Sequence, residues 1–173
     1  MEQSMKLISL LLSTLSLTYA LEVGTLPKPL TLEGETGGLL SGESFNSDIL
    51  KEKVHVLFYV DPDEKELNEH VSAALKKEAF DRKYYASVAI INMAATWLPN
   101  FAIASKLEEK QKTYPDTLYV KDLDSVLVKE WELKDDSSNV VLFGKDGKVL
   151  FVKRGKLNSE ETFELISLIQ DNI

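Results

Sequence analysis

Residues Lys53 to Val60 read Lys-Val-His-Val-Leu-Phe-Tyr-Val, a dense run of β-branched and aromatic side chains. A strand with one wet face alternates apolar and polar residues; a run this apolar is a central strand buried on both faces. The rest of the chain must therefore supply cover for both sides of a sheet.

The next segments supply that cover. Asp61-Pro62-Asp63 ends the strand. Pro62 lacks the N–H that a central ladder needs, and Asp63 suits a helix cap with Glu66 three residues on. Leu67, Val71, Ala74 and Leu75 then recur at helical spacing, which predicts a helix over Glu64 to Phe80. Tyr84 to Met93 is the next strand. Ala94 to Asn100 is a loop, Phe101 to Lys112 a second helix, and Leu118 to Val120 a short strand. A charged loop leads on to Trp131-Glu132-Leu133, with Trp131 expected in the core. Strands at Val140–Gly144 and Lys148–Lys153 join at Asp146-Gly147, a strong hairpin signal. Asn158 and Glu161 form a capping box before a closing helix. There Phe163, Leu165, Ile166, Leu168 and Ile169 make two adjacent stripes, so this helix is expected to be well buried.

Upstream, Leu30 to Glu33 alternates as a short strand does, with Gly37 to Leu40 its expected hairpin partner. Ser41 to Leu50 is a turn with a short helix. Residues 21–52 thus read as an N-terminal strand and hairpin extension. Strands that alternate with helices imply parallel pairing through right-handed crossovers, whereas the closing hairpin implies an antiparallel edge. The expected fold is a three-layer α/β/α sandwich with a mixed central sheet, a C-terminal β-hairpin and a closing helix. At 173 residues the chain suits one such domain, over residues 21–173.

Residues Met1 to Ala20 read as a secretory signal peptide. Lys6 and the amino terminus form the positive end, and Leu7 to Leu17 the apolar centre. Thr18-Tyr19-Ala20 places small residues where a signal peptidase reads, so cleavage is expected after Ala20. The centre is eleven residues, or about 16 Å of helix, half of a bilayer core of about 30 Å. A periplasmic protein with no stable membrane insertion after cleavage is the expectation. The net charge of -8 repels phosphate backbones, which disfavours nucleic acid as a partner. Cysteine is absent, which removes disulfides, thiolate nucleophiles and Cys-based zinc sites together.

The order of elements resembles the thioredoxin-like arrangement. Lys53 to Val60 is similar to the strand before the redox motif of exported thiol–disulfide proteins, and Val140 to Val149 to their final strand pair. The stretch from Tyr114-Pro115 through Trp131-Glu132-Leu133, Ser137-Ser138 and Lys145-Asp146-Gly147-Lys148 to Gly155 and Leu157 is similar to the YtfJ family of small exported bacterial proteins. That resemblance implies a thioredoxin-like fold, a signal peptide and a periplasmic location. It carries no established activity.

Thioredoxin chemistry needs a Cys-x-x-Cys where the helix after the central strand begins, because the helix N-terminus stabilises the thiolate. It also uses a cis-proline just before the hairpin strand. Here Asp61 to Glu66 fill the first position and Ser137-Ser138-Asn139-Val140 the second, with no proline. Thiol oxidoreductase activity is therefore expected to be absent, and no catalytic residue, cofactor or metal ligand is assigned. The expected role is a binding or adaptor module with another periplasmic protein as partner.

The candidate binding residues are Asp61, Asp63 and Glu64 at the first position, Ser138 and Asn139 at the second, and Trp97 and Phe101 in and after the apolar loop. Carboxylates at a helix N-terminus complement its dipole. The alternative is a cation-dependent protein or enzyme that uses the acidic edge Asp61 to Glu66, with Asp122, Asp124, Asp135 and Asp136 as a second set. The run lacks the central Gly and distal Glu of an EF-hand loop. His55 and His70 are not at a metal-binding spacing, and no Ser sits in a nucleophile elbow. Trp97 and Phe101 either fold back as a lid on the core or form a partner surface.

Overall fold

The structure, a computed structural model, describes residues 20–173. The signal-peptide reading falls on residues 1–20 and so lies, but for Ala20, outside the described residues. Along the chain the elements are β1 (Thr31–Leu32), β2 (Gly37–Leu39), β3 (Phe45–Asn46), β4 (Val54–Val60), α1 (Glu69–Glu78), β5 (Tyr85–Asn92), α2 (Asn100–Thr113), β6 (Thr117–Asp122), α3 (Val126–Trp131), β7 (Ser138–Phe143), β8 (Val149–Arg154) and α4 (Ser159–Asn172).

Six strands form one mixed sheet in the order β2-β6-β5-β4-β7-β8. The β4–β5 and β5–β6 pairs are parallel, as strand–helix–strand units require, and β2, β7 and β8 join antiparallel. The apolar run is indeed central. Val54 and Val56 of β4 face one side and meet Val71 and Leu75 of α1 and Leu165 and Ile169 of α4. Ile103 and Leu107 of α2 cover Ile91 and Tyr119 of the neighbouring strands. Leu57 and Tyr59 face the other side, against Leu127 and Trp131 of α3 and Leu30, Leu32, Phe45 and Leu50 of the N-terminal extension. Helices thus cover both faces. Trp131 is fully buried, and its indole N–H donates to the Lys28 carbonyl at 2.8 Å. Among the described residues no helix is long and apolar enough to cross a membrane.

Four local expectations are corrected. β1 pairs with β3, and β2 instead extends the main sheet beside β6. Glycine is the reason: a Cβ on Gly37 would lie 1.9 Å from the Lys121 carbonyl oxygen, an approach that no side chain permits. The helix after β4 does not begin at Glu64. Asp61, not Asp63, is the cap: its Oδ1 accepts the Asp63 N–H at 2.8 Å over a 3-10 turn at Pro62–Glu64, and α1 begins only at Glu69. The charged loop before Trp131 holds the six-residue helix α3, too short to show a period in sequence. In α4, capped by Asn158 and Glu161 as expected, Leu165 and Ile169 are buried and Ile166 and Leu168 pack against the core, but Phe163 is 73% exposed.

Candidate functional site

The C-terminal ends of β4, β5 and β6 and the start of β7 share one edge of the sheet. Val60 lies opposite both Ile91 and Ser138, and Asn92 lies opposite Asp122. The two positions that would carry redox chemistry meet here: the Asp61 N–H donates to the Ser137 carbonyl at 2.9 Å.

The inside of this edge is a set of buried polar side chains that satisfy one another. Asn68, just before α1, donates to the Ser138 carbonyl at 3.0 Å, to Ser138 Oγ at 3.2 Å and to the Gly155 carbonyl at 3.0 Å. Its Oδ1 accepts the Leu157 N–H at 2.9 Å. Asn139 pairs with both backbone groups of Lys134, accepting at 2.9 Å and donating at 2.8 Å. The Tyr59 hydroxyl donates to Asp122 at 2.9 Å, and Asp122 also accepts the N–H groups of Asp124, Val126 and Leu127 at 3.2, 2.9 and 3.1 Å. Asn92 accepts from Ser125 Oγ and donates to Asp135, both at 2.9 Å. Among the described residues no buried side-chain N or O lacks a partner.

Such an arrangement holds its protons firmly. Burial, and then the Asp122 carboxylate, push the Tyr59 hydroxyl far above the usual phenol range. Asp61 is raised as well, first by burial. Its hydrogen bond from Asp63 opposes the rise, and the carboxylates of Asp63, Asp136 and Glu64 reinforce it. Four hydrogen bonds occupy Asp122, which leaves it no lone pair for a cation shared with Asp61. Among the described residues no group of three or more Asp, Glu or His side chains is placed to hold a metal ion. The histidines are engaged elsewhere. His55 lies in β4 with its Nδ1 2.9 Å from the Lys53 carbonyl, and burial lowers its pKa; His70 Nε2 is 2.9 Å from the Leu157 carbonyl.

The structure therefore divides the sequence-derived candidates. Asp61, Ser138 and Asn139 come together but are buried, at 3%, 1% and 0% exposure. Asp63 and Glu64 are exposed on the 3-10 turn above them. Trp97 and Phe101 stand apart from this interior, Trp97 on the turn between β5 and α2 and Phe101 in the first turn of α2. Leu98 anchors that turn in the apolar cluster shared with Val60, Leu123, Met93 and Ile103. With Leu98 turned in, Trp97 and Phe101 turn out, at 86% and 78% exposure. They form no lid over the core. Sequence reasoning missed Asn68, Tyr59 and Asn92. Asn68 had a readable signal, since it lies three residues before Val71 and seven before Leu75, a polar residue on the apolar stripe.

A family model described as "Bacterial protein of unknown function (YtfJ_HI0045)" matches residues 36–172. The uncharacterized protein YtfJ of Escherichia coli (strain K12) is 29% identical over 173 residues, covering 95% of this chain and 94% of that one. An uncharacterized protein of Haemophilus influenzae is 31% identical over 107 residues, 61% of this chain and 58% of that one. Among solved structures, the thioredoxin domain of a thiol-disulfide oxidoreductase from Bacteroides vulgatus superposes with a TM-score of 0.61 at 16% identity, covering 86% of this chain and 98% of that one. This last likeness shows the fold, which is thioredoxin-like.

Proposed function

The chain belongs to the YtfJ family of bacterial proteins, and from that premise we propose that it is an exported, redox-silent periplasmic binding module that engages a partner protein through Trp97 and Phe101. The observation that carries this reading is the exposure of those two side chains. They are the two most exposed large apolar residues among the described residues, and they stand at the edge where open α/β folds bind ligands. Apolar groups held in water by a neighbouring anchor are characteristic of partner surfaces. The export part of the reading is supported by the leader-like sequence up to Ala20. Redox silence is supported by the lack of any cysteine in 173 residues.

The fold favours binding over catalysis for a physical reason. A catalytic edge keeps polar groups unsatisfied or loosely held until substrate arrives, whereas Asn68, Asn139 and Asp122 are spent on backbone groups. That interior is a rigid support for the turn above it.

The test is affinity capture from periplasmic extract with the wild type and a Trp97→Ala/Phe101→Ala variant. Truncating a central aromatic contact typically costs at least about 2 kcal/mol, or about thirtyfold in affinity. The variant should therefore lose the partners that the wild type retains. Identical partner sets would count against this surface. An insulin-reduction assay should show no turnover.

A further inference from the structure

The surroundings of Trp97 indicate what kind of partner fits. Leu98 packs on the same apolar cluster as Val60 and Leu123, and β5 ends between β4 and β6, so the turn lies at the same sheet edge as the segments that open into Asp61 and Asp124. Asp63, Glu64 and Glu66 follow β4, and Asp135 and Asp136 precede β7. All five are exposed, and among the described residues none of them is in an ion pair. Asp63, Glu64 and Asp136 act together on one point, since all three carboxylates raise Asp61. Asp124, on the same edge, is already matched by Lys129 at 2.8 Å. Lys65, Lys121 and Lys134 offset part of this charge, and buried Asp122 adds to it.

The opposite end of the sheet is close to balanced, with Lys51, Arg82 and Lys148 matched by Asp48, Asp116 and Asp146. Lys83 and Lys145 lie 4.9 and 5.7 Å from the centre of the Tyr84 ring, and Arg82 lies 5.3 Å from that of Tyr85. The unmatched carboxylates of the Trp97 end steer an approaching cation toward it. An exposed indole beside carboxylates suits a Lys or Arg side chain, whose stem packs on the ring while its charge meets the acids. A second copy of this chain is the poorer occupant. Its cations at the Tyr84 end already lie over their own tyrosines, and each copy carries a net charge of -8.

We propose that the occupant of the Trp97–Phe101 surface is a cationic segment of a partner protein, with Lys or Arg over Trp97 and toward Asp63, Glu64 and Asp136, and an apolar side chain against Phe101. This inference rests on the binding reading above and adds the chemistry of the partner. Anionic lipid and nucleic acid carry the wrong sign for the same edge.

The chain has two tryptophans, exposed Trp97 and fully buried Trp131, so indole fluorescence reports on this surface against a constant background. The experiment titrates the purified protein with two short synthetic peptides of equal apolar content, one carrying Lys and Arg, the other Glu at the same positions. The cationic peptide should shift the emission to the blue and protect it from acrylamide. Its affinity should fall about tenfold or more from low salt to 0.5 M, as screened charge pairs do. A triple variant, D63N/E64Q/E66Q, should lose about tenfold or more at low salt with its emission unchanged. Equal binding of both peptides, no binding of either at about 1 mM, or salt-insensitive binding overturns the proposal. So does a blue shift on concentrating the protein alone, which would make a second copy the occupant. Retained binding by the triple variant, with loss in Phe101→Ala, which keeps the Trp97 reporter, would overturn the charge argument while leaving the aromatic surface standing.

Discussion

Replacing Asn68 by Ala should cost far more than its place before a helix suggests. The side chain donates to the Ser138 and Gly155 carbonyls and accepts the Leu157 N–H. The Ser138 carbonyl keeps a second donor, the Gly155 N–H at 3.2 Å. Among the described residues the Gly155 carbonyl and Leu157 N–H have no other protein partner and would be left unpaired beside the core. Each orphaned buried group costs about 1–3 kcal/mol, so Asn68→Ala should lose about 3 kcal/mol or more. For a domain of this size that is a fall in Tm of about 6–12 °C. Asn68→Asp is the informative companion. It keeps an acceptor for Leu157 but turns a carboxylate on two carbonyl oxygens, so it should be at least as damaging at neutral pH and recover in part on acidification. Ser138→Ala removes only the 3.2 Å contact and should cost about 1 kcal/mol. Denaturant unfolding of the three variants supplies the measurement. A loss below about 1 kcal/mol for Asn68→Ala, with an unchanged m-value, would refute the view that this edge is held by a self-satisfied polar interior.

Further consequences can be measured on the same preparations. Asp61 holds its proton more tightly in the fold than in the unfolded chain, so stability falls as pH rises from its ordinary value of 3.8 through the raised one. Asp61→Asn keeps an oxygen for the Asp63 N–H and should be more stable than wild type at neutral pH, with the gap closing below pH 3.8; a less stable variant at pH 7 contradicts this. Trp97→Ala/Phe101→Ala removes only exposed surface and should move stability by no more than about 0.5 kcal/mol per site, as thermal denaturation would show. Gly37→Ala must push β2 away from the Lys121 carbonyl and should cost about 3 kcal/mol or more; near-neutral behaviour would mean that β2 is not held at this register. With Asp122 fully engaged, Ca²⁺, Mg²⁺ and Zn²⁺ should leave the melting temperature unchanged, and a saturable rise would restore the cation reading.

How far the sequence could be read depended on how local each determinant is. β4, the Asp146-Gly147 hairpin and the Asn158–Glu161 capping box are written in consecutive residues, and all three form as expected. The pairing of β2 with β6 joins Gly37 to Asp122 across most of the domain, so no local pattern could favour it over the nearer Leu30–Glu33 segment. The site divides in the same way. That Asp61 to Glu66 and Ser137 to Val140 share an edge followed from the order of elements. That Ser138 and Asn139 are spent inside the fold did not, because Asn68 and Lys134 reach them from distant segments. Trp97 was undecidable from its neighbours: one apolar residue of its loop had to turn inward, and only packing against the cluster of Ile91, Met93 and Ile103 selects Leu98.

The binding reading stands or falls on whether a partner covers Trp97. A photo-crosslinking residue placed at position 97, and in a second strain at position 49, would report this in living cells. Ile49 is half exposed and lies in the turn before β4, at the opposite end of the sheet. The account predicts a discrete adduct from position 97 and none from position 49. Equal adducts from both, or none from position 97, would contradict it.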